Sequence, residues 1–265
     1  MYEKTPKRPM QVFVAVTYLV MVTLNALANI LPINGITTGD QSDFYENLFA
    51  PAGITFTIWG VIYVLLAAYV LYQFGVFQGG ANGNKGRVMG KIGIFFALSS
   101  VANSLWVLAW HYDYILVSLI LIVIVLICLI RINYLTKDED FNLKEKFFIR
   151  LPFSIYFGWV TVATIANVTT LLVAIGWNGF GISESLWTVF ILGVGAAIGI
   201  LTMFSFRDMA YGLVLIWAYA GIYIKHTSVE GFNGEFRSVI MTVIITLVLF
   251  VMAEGYLLFS KKKSF

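Results

Sequence analysis

Residues 114–135 read YILVSLILIVIVLICLIRINYL, and Arg131 is the single charged residue among them. A helix of this length, at about 1.5 Å per residue, can cross the hydrocarbon core of a bilayer. Similar runs recur along the whole chain, of which 60% of residues are hydrophobic and only 12% are charged. Their apolar residues are continuous and do not alternate with a period of two, as a membrane β-barrel would require. The sequence therefore predicts an all-α protein, a polytopic integral membrane helical bundle.

We expect about eight transmembrane helices, at 10–31, 54–76, 90–111, 114–135, 150–175, 186–206, 209–225 and 237–260. The seventh is the shortest, and it is bounded by Arg207 and Asp208 at one end and by Lys225 at the other. If it enters the membrane only half-way, the last helix reverses its direction. The single cysteine, Cys128, lies within an apolar run, which excludes a disulfide within the chain and a cysteine metal cluster.

The basic residues are distributed unequally over the connections between these helices. With the N-terminus in the cytoplasm, Lys225 and Arg237 lie outside, and the other fifteen of the 17 Lys and Arg residues lie inside. The positive-inside rule therefore predicts cytoplasmic N- and C-termini, and we expect a multi-pass protein of the plasma membrane of a bacterium. The net charge of +3 follows from this topology. Because no nucleic-acid-binding module accompanies the dispersed basic residues, we expect no nucleic-acid partner.

The segment 32–53 is predicted to form a lid over the outer helix ends. It has no basic residue and contains Asp40, Asp43 and Glu46. It also contains large apolar or aromatic side chains, among them Phe44, Tyr45, Leu48 and Phe49. A purely solvated loop would not need those apolar side chains. The three acids could bind a divalent cation, although solvated carboxylates are the simpler interpretation.

Two inner connections have distinct compositions. The glycine-rich segment 79–90 is expected to be a flexible linker. The segment 136–146 mixes acidic and basic residues and is interpreted as a solvated connector that could be helical.

Three polar residues lie inside the apolar runs at a similar depth. Tyr63 is nine residues inside the second span, and Asn103 and Asn167 are each eight residues from the outer ends of the third and fifth spans. At 1.5 Å per residue, all three are roughly 12 to 14 Å below the outer surface. An amide inside a bilayer needs a partner on a helix, in a cavity or on a ligand. We therefore expect one aromatic cavity for a flat, mostly apolar ligand, with Asn25 and Asn29 nearer the surface.

Each of these residues also has a purely structural interpretation. Asn103 and Asn167 could make helix-to-helix hydrogen bonds, which contribute about 0.6 kcal/mol on average, and this alternative is as well supported as a ligand contact. Four tryptophans near outer helix ends could belong to an interfacial aromatic belt: Trp59, Trp106, Trp110 and Trp187.

His111 and Glu254 have two interpretations each, and a pair of glycines has one. His111 could bind a metal, but a lone histidine at a helix end is more often an interfacial hydrogen-bonding residue, so we predict no metal site. Glu254 could carry a proton, but snorkelling to the interface is the simpler explanation. Gly195 and Gly199 form a small-xxx-small pair, which is typical of a helix-packing face.

Three short motifs lie on the second, third and fifth predicted spans. Residues 50–63 read APAGITFTIWGVIY, with a proline before Trp-x-x-x-Tyr, residues 102–106 read ANSLW, and residues 159–167 read WVTVATIAN. These motifs resemble, in the same order, signatures of the tryptophan-rich sensory protein and translocator protein family (TspO/MBR). The resemblance covers about residues 10–175.

This resemblance implies a five-helix membrane domain at residues 1–175. The three further predicted transmembrane helices, at 176–265, depart from the family pattern, and we expect them to pack on the same bundle. The resemblance also implies an aromatic pocket beneath the first extramembrane loop for a tetrapyrrole, such as a porphyrin or haem, with no cofactor required. The implied ligand-binding residues are Trp59, Tyr63, Asn103, Trp106, Trp159, Ala163 and Asn167, to which we add Asn29 beneath the lid.

We therefore expect a membrane sensory protein that binds a tetrapyrrole or a similar flat, apolar molecule. Its expected partners are this ligand and membrane lipid, and a homodimer is left open. The alternative is a small-molecule permease or transporter subunit that uses the same cavity and Glu254. We expect no enzyme, because no pair of nucleophile and base is visible. Gly53 also stands where the resembled family usually has a tryptophan, which disfavours the porphyrin breakdown assigned to some members.

Overall fold

The computed structural model describes residues 8–31, 33–77 and 86–260. The α-helices are α1 Arg8–Ile30, α2 Thr38–Phe44, α3 Ile58–Gln73, α4 Gly86–His111, α5 Ile115–Lys137, α6 Leu143–Glu145, α7 Leu151–Ala174, α8 Glu184–Phe206, α9 Met209–Thr227 and α10 Arg237–Ser260. Shorter turns are the 3-10 segments Ile33–Gly35, Gly53–Thr57 and Gly179–Gly181 and the π-helical segment Lys146–Arg150. These residues contain no strand, which confirms the predicted all-α class.

Seven helices of the described ranges are long and apolar enough to cross a membrane, and they coincide with seven of the predicted spans. The eighth predicted span, 209–225, forms α9 but is not among the seven. Its tyrosines, together with Lys225 and His226 in its last turn, lower its hydropathy. The expected eight spans therefore become seven candidate spans and α9. Whether α9 crosses the bilayer decides on which side α10 ends.

The two connections that the sequence predicts to be inner are described to different extents. In the connector 136–146, the side-chain oxygen of Asn142 accepts a hydrogen bond from the backbone N–H of Glu145 at 2.9 Å. The Glu145 carboxylate in turn accepts from the Asn142 N–H at 2.9 Å. This reciprocal capping box begins α6 and confirms that the connector is partly helical.

The predicted linker 79–90 is only partly described. Its residues 86–90 form the first turn of α4, so the helix begins four residues earlier than the sequence predicts. Residues 78–85 lie outside the described part of the chain, as do the basic residues Lys4, Lys7, Lys85 and Lys261 to Lys263 on which the predicted orientation partly rests.

The chain divides into two compact units, of which the first comprises the described parts of Met1–Thr38 and Trp59–Phe157. Its central helix is α4, which packs against α1 and α5. A Cβ atom at Gly93 would lie 3.3 Å from Val14 of α1, so the glycine permits a close approach. Ser99 and Ser100 both donate to the carbonyl of Phe96, at 2.8 and 2.9 Å. The hydroxyls are thus satisfied within the helix, and the small side chains leave room for the neighbouring helices.

The second unit comprises Gly39–Ile58 and the described part of Gly158–Phe265. In it, α9 packs against α8 and α10. Gly195 and Gly199 of α8 face α9: a Cβ atom at Gly195 would lie 2.7 Å from the Tyr219 hydroxyl, and one at Gly199 would collide with Leu215. Tyr219 donates to the carbonyl of Leu192 at 2.9 Å. The predicted packing role of the glycine pair is confirmed.

The second half of the predicted lid is held against the end of α9. Leu48 and Phe49 are only 2% and 1% exposed, so the prediction that this segment is not purely solvated is confirmed. His226 Nε2 donates to the Leu48 carbonyl at 2.9 Å, and Lys225 Nζ donates to the Asp43 carboxylate at 2.8 Å. These contacts lie within the second unit and fix the segment after α2 to the end of α9.

Candidate ligand-binding site

An aromatic cluster in the first unit is centred on Trp59 of α3. The Trp59 ring is nearly parallel to that of Tyr63, with an interplanar angle of 16° and centroids 5.6 Å apart. Its centroid is 5.8 Å from that of Trp106 and 6.0 Å from that of Tyr156, and Trp106 stacks on Trp110 at 6.0 Å. The Trp-x-x-x-Tyr spacing explains the first contact, because residues four apart lie on one helix face. We call these five residues the aromatic cluster.

Asn103 of α4 links this cluster to α1 and to the first part of α7. Its Nδ2 donates to the Tyr156 hydroxyl at 3.0 Å, and its Oδ1 accepts from Asn25 Nδ2 at 2.8 Å. Asn25 also donates to the Met21 carbonyl at 2.9 Å. For Asn103, the structure therefore shows the helix-to-helix hydrogen bond. Its contribution to the site is to position Tyr156 against Trp59.

Two buried donors of the aromatic cluster have no hydrogen-bond partner in the described part of the chain: the Tyr63 hydroxyl and the Trp106 Nε1–H. The hydroxyl of Tyr18 does bond to residue 63, but it donates to the backbone carbonyl, at 2.8 Å. A buried polar group without a partner costs about 1–3 kcal/mol, and the bilayer core supplies no water to satisfy it. Both donors are available to a ligand that carries acceptor atoms.

The two asparagines of α1 have different surroundings. Asn25 is buried and bonded to Asn103, so it lies at the level of that residue and not nearer the surface. Asn29 is exposed, and its amide donates to the Asn25 carbonyl one turn earlier at 2.9 Å. Asn29 is therefore not part of the aromatic cluster, because its side chain points along α1 to the backbone.

The predicted site residues of α7 belong to the second unit. Trp159 is buried, and its ring meets that of Phe56 edge-on with centroids 5.8 Å apart. Asn167 is also buried, and Ala163 is half-buried. The structure thus brings Trp59, Tyr63 and Trp106 together with Asn103, whereas a contribution of Trp159, Ala163 and Asn167 to the same site stays a prediction.

The structure bears on several alternatives from the sequence. Trp106 and Trp110 are each only 4% exposed, which does not fit an interfacial belt. His111 is fully buried and its Nδ1 bonds to the Val107 carbonyl at 2.7 Å. Among the described residues, no group of three or more His, Cys, Asp or Glu side chains could hold a metal ion. Glu254 is buried with its carboxylate against Gly212 of α9, so it does not snorkel.

Sequence reasoning missed Tyr156 and the bond between Asn25 and Asn103. Tyr156 lies three residues before Trp159, the first residue of the fifth-span motif, and an aromatic hydroxyl in an apolar helix was the available signal. The partner of Asn25 had no local signal, because Asn103 is 78 residues away in the chain.

Comparison with protein families supplies the decisive observation. A family model described as TSPO-like protein matches residues 11–256. The chain belongs to the TSPO-like protein family. The comparisons with curated proteins and with solved structures gave no match.

For the TSPO-like chain, the family match does not stop at residue 175 but continues through α8 and α9 into α10. Together with the seven apolar helices, membership makes the chain a multi-pass membrane protein. It also supports a membrane ligand-binding or sensory role in general. The resemblance that the three motifs predicted is confirmed.

Proposed function

We propose that this TSPO-like chain is a membrane sensory protein that binds a tetrapyrrole, such as a porphyrin or haem, or a similar flat apolar molecule at the aromatic cluster. The observation that carries the proposal is the pair of buried donors, Tyr63 Oη and Trp106 Nε1, beside the ring of Trp59. A flat π-system can stack on these aromatic rings. Acceptor atoms on its edge would satisfy both donors and remove their desolvation cost.

The aromatic cluster carries no charge, and this favours uncharged tetrapyrroles over charged ones. Its five members are neutral aromatic side chains, and the attached polar groups are the amides of Asn25 and Asn103. A carboxylate placed there would lose its hydration without gaining a cationic partner. An uncharged ligand, such as protoporphyrin dimethyl ester, is therefore expected to bind more tightly than the free dicarboxylate.

Removal of either unpartnered donor tests the proposal. Tyr63→Phe and Trp106→Phe keep an aromatic ring, so each should weaken binding of protoporphyrin dimethyl ester about fivefold through the loss of one hydrogen bond. Ligand-free Tyr63→Phe should be no less stable than the wild type, because it keeps the ring and buries one unsatisfied hydroxyl fewer. Titration in lipid nanodiscs, followed by the porphyrin absorbance band, measures the affinity.

The matched control is Tyr112→Phe, which removes an exposed hydroxyl from a tyrosine outside the cluster. It should leave the affinity unchanged. Wild-type affinity in both the Tyr63 and the Trp106 variants would exclude the aromatic cluster as the binding site.

We also propose a location in the plasma membrane of a bacterium, with both termini in the cytoplasm. The proposal is supported by the excess of basic residues in the predicted inner connections. The proposed function includes no catalytic step and no nucleic-acid partner.

A second candidate, a small-molecule permease or transporter subunit, is favoured by Glu254. This acidic residue lies within α10, which is one of the candidate spans, and its carboxylate is buried against Gly212 of α9. Ionisable residues inside spans are rare and commonly mark the path of an ion or a proton. The sequence predicts that the permease uses the same cavity as the sensory ligand. Because Glu254 belongs to the second unit, this part stays a prediction.

Glu254→Gln tests the permease candidate. A pH-sensitive dye inside reconstituted vesicles should report proton influx when small amphipathic solutes are added to the wild type. The variant should reduce this influx at least fivefold, because glutamine cannot carry a proton. Glu230→Gln, in the connection between α9 and α10, is the control and should have wild-type influx. Wild-type vesicles without solute-dependent influx would remove the candidate.

A further inference from the structure

The second unit contains a cavity of about 480 Å³ that is lined by none of the eight predicted site residues. Its walls come from three segments: the lid at 46–49, the end of α7 with the following turn at 169–179, and residues 182–191 around the first turns of α8. The volume lies within the range of pockets for drug-sized ligands, about 300–1,000 Å³.

One wall of the cavity is aromatic and fixed in place. The rings of Trp177 and Trp187 have centroids 4.8 Å apart at an interplanar angle of 59°. Trp187 Nε1 donates to the Gly179 carbonyl at 2.7 Å, which holds the indole. Gly179 has a φ of +64°, and a Cβ atom on it would lie 2.8 Å from the Trp187 ring. The position therefore requires glycine, both for its backbone conformation and for the space that Trp187 occupies.

Another wall of the cavity is formed by the lid. Leu48 and Phe49 contribute apolar side chains, and Asn47 fixes their backbone because its Oδ1 accepts from the N–H groups of Phe49 and Ala50 at 3.1 and 3.0 Å. Thr169 of α7 also donates to this oxygen, at 3.4 Å. The amide of Asn47 is thus used to build the wall.

The charges of the lining residues are of one sign. Glu46 of the lid and Glu184 at the start of α8 both line the cavity and are exposed, and the lining contains no Lys, Arg or His. Lys225, the basic residue bonded to the lid, is paired with Asp43 at 2.8 Å. Two carboxylates beside indole faces attract a cation, both by charge and by the cation–π interaction.

We propose that this cavity is a second binding site, for an amphipathic organic cation. The apolar part of the cation lies between the two tryptophans and the lid, and its charged group lies toward Glu46 and Glu184. The site shares no residue with the aromatic cluster. Its ligand is positively charged, whereas the tetrapyrrole expected at the aromatic cluster is uncharged. The site is therefore independent of the proposed function.

The first experiment compares two probes of nearly the same shape. Methyltriphenylphosphonium is a cation, and triphenylphosphine oxide is its neutral counterpart. Equilibrium dialysis of radiolabelled phosphonium against the full chain in zwitterionic nanodiscs, with empty nanodiscs subtracted, should show saturable binding. Unlabelled phosphonium should compete, and a tenfold higher concentration of the oxide should not. Absence of saturable binding, or equal competition by the oxide, would overturn the proposal.

The second experiment assigns the site. The double variant Glu46→Gln, Glu184→Gln should bind the phosphonium about tenfold more weakly, and Trp187→Leu should weaken binding by a similar factor. Because both carboxylates are exposed, added salt should weaken binding to the wild type more than to the double variant. The glutamines replace exposed groups of the same size, and an unchanged elution volume and helix content verify that the double variant is folded.

Two controls complete the design. The double variant Glu230→Gln, Glu235→Gln removes the same charge from the connection between α9 and α10, and it should bind the phosphonium like the wild type. Tyr63→Phe should also bind it normally, although it loses affinity for the porphyrin ester. Loss of phosphonium binding in either control, or wild-type affinity in the Glu46 and Glu184 variant, would show that the cation does not bind in this cavity.

Discussion

Asn103→Leu is expected to lower the free energy of unfolding by about 2 kcal/mol and to weaken porphyrin-ester binding about tenfold. The substitution removes the acceptor for Asn25 and the donor to Tyr156, both buried inside the first unit. A single hydrogen bond between membrane helices contributes about 0.6 kcal/mol on average. The larger value is expected because two bonds are lost and the Tyr156 hydroxyl is left buried without this partner. Binding suffers because Tyr156 is then free to move away from Trp59.

Asn29→Leu is the matched control for this variant. It makes the same chemical change on an exposed amide whose bond runs to the backbone of its own helix, so the free energy of unfolding should change by less than about 0.5 kcal/mol. Unfolding by sodium dodecyl sulfate in mixed micelles, followed by circular dichroism, measures both variants. Equal losses in the two would mean that the link from α1 through Asn103 to α7 does not stabilise the fold.

The sequence predicts the helices well because the bilayer restricts the alternatives. A long apolar run such as 114–135, with its single charged residue, can only be a helix if it lies in lipid, and α5 begins and ends within two residues of that range. For α9 the helix itself was predicted correctly, whereas Lys225, His226 and several tyrosines leave its membrane crossing undecided by composition. Hydrophobicity thus predicts where the helices are more reliably than it predicts how many of them cross the membrane.

The candidate site was predicted only where its contacts are local. The stacking of Trp59 on Tyr63 follows from their spacing, but the partners of Asn103 lie 78 and 53 residues away in the chain. The composition of segment 32–53 predicted that it folds over the helix ends as a lid, yet nothing in it identified Lys225 and His226 as the residues that hold it. The cavity lined by Glu46 and Trp187 was missed for the same reason, since three distant segments form its walls.

Gly199→Leu is expected to lower the free energy of unfolding by about 3 kcal/mol. A Cβ atom at this position would collide with Leu215 of α9 and would lie 3.3 Å from the ring of Phe250 on α10. Both neighbours are buried, so a leucine side chain has no open space to enter and must separate α8 from the other two helices. Overpacking of a buried site costs about 1–3 kcal/mol, and a change from glycine to leucine at a helix contact is at the upper end of that range.

Gly193→Leu, on the same helix, separates this packing effect from other consequences of the substitution. Gly193 is exposed and has no atom within 4 Å of a Cβ position, so the leucine there should be neutral or slightly stabilising. Unfolding in mixed micelles again provides the measurement, and similar losses in both variants would refute the steric explanation.

Leu215→Ala gives a further test, because it makes room beside residue 199 and should restore part of the stability lost in Gly199→Leu. If the double variant is more stable than the sum of the two single effects predicts, the contact between α8 and α9 requires the glycine.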